Sequence, residues 1–130
     1  MSGTSKEELY TELKALDEEV KALNSHLERI DEQLSELGSS KRVVNEFSEL
    51  KKGEELRVLL SSGIYVKAEL ADTKNLMVNV GANVSVEKTP EEVAKILDSQ
   101  LVELSGYRES LVGQMRTIIK RIEEIQKEFE

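Results

Sequence analysis

From Leu9 onward the apolar residues fall at Leu9, Leu13, Leu16, Val20, Leu23, Leu27, Ile30, Leu34 and Leu37, in alternating steps of 4 and 3. That spacing is a heptad seam with leucine-class residues at both core positions, and it predicts a helix that needs a partner helix. A stripe this narrow gains nothing in water until something covers it. Thr4 or Ser5 can cap its start, with Glu7 or Glu8 three residues on. After Leu37 the seam weakens at "GSSKR" and resumes with Val43, Val44, Phe47 and Leu50, shifted by about a residue. The first helix is expected over about 5–52, with Gly53 just beyond its end and a length of roughly 65 Å.

A second start stands at "TPEE", 89–92, where Thr89 can cap, Pro90 takes the first helical position and Glu92 completes a capping box. Leu97, Leu101, Leu104, Leu111, Met115, Ile118, Ile122, Ile125 and Phe129 then follow the same seam, over about 90–130. Arg108 stands where the next apolar residue should be. Two seams of similar length should fold back into an antiparallel coiled-coil hairpin. Arg108 is then expected opposite Leu34 to Leu37, with Glu36 as its partner, fixing register.

Between the helices the period changes to two. Leu56, Val58 and Leu60 alternate, then Ile64, Val66, Ala68 and Leu70, then Leu76, Val78 and Val80, then Val84 and Val86. Turns at "SSG", "DTKN" and "GAN" separate four short strands, paired as two β-hairpins over about 55–88. Gly63, Gly81 and Asn83 are the residues suited to positive φ there. The expected class is therefore α+β, mainly α: a helical hairpin carrying two central β-hairpins in one domain, 1–130. Nothing within the chain covers four such strands, so they should join strands of other chains in a barrel-like oligomeric platform.

Composition agrees with this outline. Charged residues make up 34% of the chain and aromatic ones 4%, which suits elongated helices better than a compact core. A formal charge of −8 argues against a phosphate-binding surface, so no nucleic-acid partner is expected. There is no cysteine for a disulfide or a thiolate site. No run approaches a membrane span and "MSGTSKEELY" has no signal core, so the expectation is a cytosolic protein with no membrane partner.

Catalytic patterns are missing. "GSSKR" lacks the second glycine of a phosphate loop. His26, the one histidine, has no second ligand for a metal and reads as a solvated residue. Ser105 and Ser110 have no triad partner, and "DEE" at 17–19 and "EE" at 123–124 read as wet helix faces. The chain is expected to be no enzyme and to use neither cofactor nor metal.

One stretch carries a resemblance. "GIYVKAEL" at 63–70 and "VNVGANVSVEKTPEEVAKIL" at 78–97 resemble the α-class subunits of prefoldin, and helix, two hairpins, helix matches that class along nearly the whole chain. Gly63, Tyr65, Val66, Ala68, Val80, Gly81, Ala82, Val84, Val86, Glu87 and Lys88 fill the characteristic places. Asn83 replaces the usual second glycine, and asparagine also visits the left-handed region.

The resemblance implies a hexamer of two α-class and four β-class subunits, with a double β-barrel platform and six coiled-coil arms. It implies an ATP-independent chaperone that holds unfolded clients at the arm tips and passes them to a group II chaperonin. Some α-like relatives form filaments, so a self-assembling scaffold is the alternative. Client-binding residues are expected at the distal end, where Leu9 and Tyr10 meet Ile122, Ile125 and Phe129 and the last turn frays. Assembly residues are expected at Ile64, Tyr65, Val66, Ala68, Val78, Val80, Val84 and Val86.

Overall fold

The computed structural model describes residues 5–129. Helix α1 spans Lys6–Phe47, followed by strands β1 (Glu55–Ser61), β2 (Ile64–Glu69), β3 (Leu76–Gly81) and β4 (Val84–Lys88), then helix α2 (Pro90–Glu128). The fold is α+β and mainly helical. It divides into two compact units: the chain up to Glu36 with the chain from Leu101 onward, and Leu37–Gln100.

In the first unit the two helical stretches run antiparallel, with Glu12, His26 and Asp31 of α1 meeting Arg121, Tyr107 and Arg108 of α2. Leu9, Ile30, Leu111 and Ile125 are buried, and the other seam residues of this unit are half-buried except Phe129, which is exposed. Heptad spacing puts these side chains in one line, and each helix covers the other's line. Ser5 caps α1, its hydroxyl accepting the Glu8 N–H at 3.2 Å. Thr4, the other expected cap, lies outside the described residues.

Two features of the seam differ from expectation. Arg108 bonds Asp31 at 2.7 Å rather than Glu36. Hairpin register depends on where both helices end, and α1 ends earlier than its sequence suggests. The shift expected at Gly38 comes only after Val44, where half-buried Phe47 and Leu50 follow at steps of three. Half-buried Lys41 occupies the next heptad place and pairs with Asp98 at 2.6 Å, while Val44 continues the line and Val43 stays exposed.

In the second unit α1 stops at Phe47, not near 52. Its last turn tightens as Glu49 N–H donates to Glu46 C=O and Leu50 N–H to Phe47 C=O. The Glu54 carboxylate then accepts the Lys51 N–H at 3.0 Å, and Gly53 turns the chain with φ 86°. These local bonds offer "SELKKGE" an alternative to continued helix. At the other boundary Thr89 caps α2 by accepting the Glu92 N–H at 3.2 Å, and Pro90 and Val93 are buried.

The strands form two separate antiparallel sheets, β1–β2 and β3–β4. In the first, Leu56 faces Ala68, Val58 faces Val66 and Leu59 faces Tyr65. In the second, Val78 faces Val86 and Gly81 faces Val84. Three consecutive residues at the second turn have positive φ: Gly81 at 113°, Ala82 at 49° and Asn83 at 61°. Two central residues with φ above zero give the turn twist that matches paired strands. Ala82 adopts it despite its Cβ, and the Asn79 side chain supports the bend by accepting the Gly81 N–H at 2.9 Å. Between the hairpins Asp72 accepts the N–H groups of Lys74 and Asn75, which lowers its pKa and fixes the connecting turn.

Candidate functional site

Two surfaces gather the residues that the sequence singles out. The first is the end of the helix pair formed by the start of α1 and the close of α2. Tyr10 is 67% exposed and Phe129 is 40% exposed, and their rings meet edge to face at 6.2 Å. They form an accessible aromatic ledge. Leu9 and Ile125 sit beneath it, at 6% and 0% exposure, and Ile122 is half-buried. The five expected tip residues therefore divide into an outer aromatic pair and an inner aliphatic group.

One turn inside that group lies an ion-pair clamp that sequence reading missed. Arg121 of α2 donates from Nε to Glu12 Oε1 at 2.8 Å and from Nη2 to Glu12 Oε2 at 3.0 Å. Its Nη1 reaches Glu124 Oε2 at 3.4 Å. A guanidinium fork matches a carboxylate in this two-pronged way. The bond from Arg121 holds the Glu12 carboxyl below its ordinary pKa of 4.5 and raises the guanidinium's own pKa.

The sign for pH follows from Glu12. Its pKa is lower in the folded chain than in the unfolded one, so the clamp contributes fully above about pH 4.5 and is lost as pH falls through the folded value. Thermal unfolding should therefore separate wild type from Glu12→Gln at pH 7. The gap should narrow as pH falls below 4.5, and a constant gap from neutral into the acid range would contradict a charge-based clamp.

His26, expected as a solvated residue, is half-buried and has a partner across the helix pair. Its ring lies edge to face with Tyr107 at 5.4 Å, and Nε2 is 3.5 Å from the tyrosine hydroxyl. Arg108 bonded to Asp31 likewise has its pKa raised by that bond.

The second surface is the hairpin pair. Val66, Ile64 and Ala68 share a face with Val58 and Leu56 by strand parity. Val78, Val80, Val84 and Val86 form the corresponding face of the other sheet. Ile64, Val66, Val80 and Val84 are exposed, while Ala68, Val78 and Val86 are half-buried. Tyr65 separates from this set. It opposes Leu59 on the far side of its sheet, next to the Arg57–Lys67 pair, and both side chains are exposed. Leu59 was legible in the apolar run "VLL", but only the register tells which residue it meets.

The chain thus combines a helix pair with two hairpins whose apolar faces are largely exposed. Comparison with known proteins places it among chaperone subunits. The prefoldin subunit family model matches residues 16–130, and the chain belongs to that family. Its relatives include prefoldin subunit alpha of Thermofilum pendens, 28% identical over 94% of this chain and 95% of the relative. Prefoldin subunit alpha of Methanococcus vannielii is 31% identical over 95% of this chain and 85% of its own length. Among solved structures, that of filamentous PFD from Methanocaldococcus jannaschii matches with a TM-score of 0.80. It covers 92% of this chain and 98% of the matched chain at 22% identity, a likeness of fold. The family is one of chaperones rather than enzymes. Among the described residues, no helix is long and apolar enough to cross a membrane.

Proposed function

We propose that this chain is an α-class subunit of a cytosolic hexamer with two α-class and four β-class members. Its hairpins build the shared platform and its distal helix ends hold non-native proteins, which pass without ATP to a group II chaperonin. The observation that carries the reading is the exposed Tyr10–Phe129 ledge at the free end of a paired helix. An aromatic pair kept in water on a rigid support is suited to adhesive contact with any unfolded chain. Each ring contributes on the order of 1–2 kcal/mol when covered. Several such ends around one client bind through effective concentration, and release needs no nucleotide because single contacts exchange quickly.

The uncovered faces of both hairpins support the platform half of the proposal. Val58, Val66, Val80 and Val84 gain their burial only from other strands. The same faces, with the filamentous PFD fold, favour a second reading: a self-assembling filament or scaffold. Native mass spectrometry of the chain alone, then with a β-class subunit, separates the two. A defined hexamer that forms only with the partner is the expected result, and open-ended homo-oligomers would instead establish the scaffold. Transfer of a bound client from that hexamer to a group II chaperonin tests the last step.

A further inference from the structure

We propose that Arg121 is a latch on the distal end: its bond to Glu12 keeps Leu9 and Ile125 covered, and its release presents them to an apolar side chain of a client. This rests on the reading of that end as the client-binding surface. The clamp stands one turn inside the buried pair, since Glu12 follows Leu9 by three residues and Arg121 precedes Ile125 by four. The apolar side chains Leu9, Tyr10, Ile125 and Phe129 lie outward of it, at the start of α1 and the end of α2. Helix ends open readily because their outermost backbone groups have no partners further on. A two-pronged bond between the helices at this depth therefore limits how far the opening runs.

The surroundings fit a moving part. Leu9 already borders an open groove of about 350 Å³, walled by Arg121, Glu124, Lys127 and Glu128. The arginine and glutamate of the clamp are each about one-third exposed, at 33% and 38%. Water and salt reach a pair so placed, so it breaks and reforms more easily than a dry one. Glu124 on α2 also reaches Arg121, and gives the guanidinium a second carboxylate to hold when Glu12 lets go. In the closed state the end offers the aromatic ledge alone, and in the open state it adds two aliphatic side chains.

The test uses the assembled full-length protein and, as probe, reduced and carboxymethylated lactalbumin, which stays unfolded. Glu12→Gln and, separately, Arg121→Met should each bind the probe about tenfold more tightly, the effect of one or two additional buried aliphatic groups. Amide exchange should quicken at residues 6–13 and 121–128. Adding Leu9→Ser to Glu12→Gln should remove the gain. Faster exchange without tighter binding overturns the latch, as does a gain that survives the loss of Leu9 or an exchange rate unchanged in both variants. Loss of probe binding by a variant that keeps the clamp intact and carries Tyr10→Ser with Phe129→Ser is a separate measurement. If binding persists there, the failure belongs to the client-binding reading and not to the latch.

Discussion

Replacing Val66 and Val84 together by aspartate should leave a helical chain that no longer assembles. Both side chains are exposed in the single chain, on the apolar faces of the two sheets. A carboxylate therefore costs little until another sheet covers it. On assembly it loses water without gaining a partner, at a cost of several kcal/mol per site. Two such sites should weaken association by at least about a thousandfold. Circular dichroism should keep its helical signal while sedimentation reports the chain free of its partner subunits. Normal complexes from this variant would mean that the valine faces lie outside the platform.

The second large effect is expected at the other surface. Tyr10→Ser with Phe129→Ser removes the aromatic ledge and leaves Leu9 and Ile125 in place. Each ring is worth on the order of 1–2 kcal/mol against a client. Simultaneous contacts multiply, so the assembled complex should lose about tenfold or more in apparent affinity. Light scattering of a denatured client should record the loss as weaker suppression of aggregation at equal complex concentration. Assembly itself should be unaffected, because both residues lie in the unit without the hairpins. Full suppression by this variant would assign client contact to other residues.

Much of this architecture was readable before any coordinates. The unbroken 4–3 seam from Leu9 to Leu37 admits one regular structure, and the period-two run from Leu56 to Val86 admits another. What resisted reading depends on choices between near-equal options. Arg108 has several acids within reach across the seam, and the choice of Asp31 over Glu36 is made by register, which the ends of both helices set. Lys41 looked like an interruption because a lysine at a core place becomes comfortable only beside Asp98, a residue far along the chain to which no local pattern points. The end of α1 at Phe47 turns on the Glu54 carboxylate reaching back to Lys51, a contest between a cap and another helical turn. Tyr65 belonged to a coherent apolar set by composition, but its odd position in the strand puts it beside Leu59 instead of Val66.

The site was legible in outline and not in its division. Five residues at the distal end were expected, and all five lie there, but depth sorts them. The aromatic pair remains in water while the aliphatic residues do not. Depth at a helix end is decided by the neighbouring helix and by ties such as Glu12–Arg121. In a chain with 26 acidic and 18 basic residues, a sequence offers no way to single out that one pair.

Among the described residues, the buried apolar side chains are Leu9, Ile30, Pro90, Val93, Leu111 and Ile125. So thin an interior leaves a solitary molecule with little reserve against unfolding. Its thermodynamic security is then held in common with its neighbours, rising with their concentration and vanishing on dilution. Cells making such a chain must match its supply to that of its associates, since any surplus is the form that proteases find first.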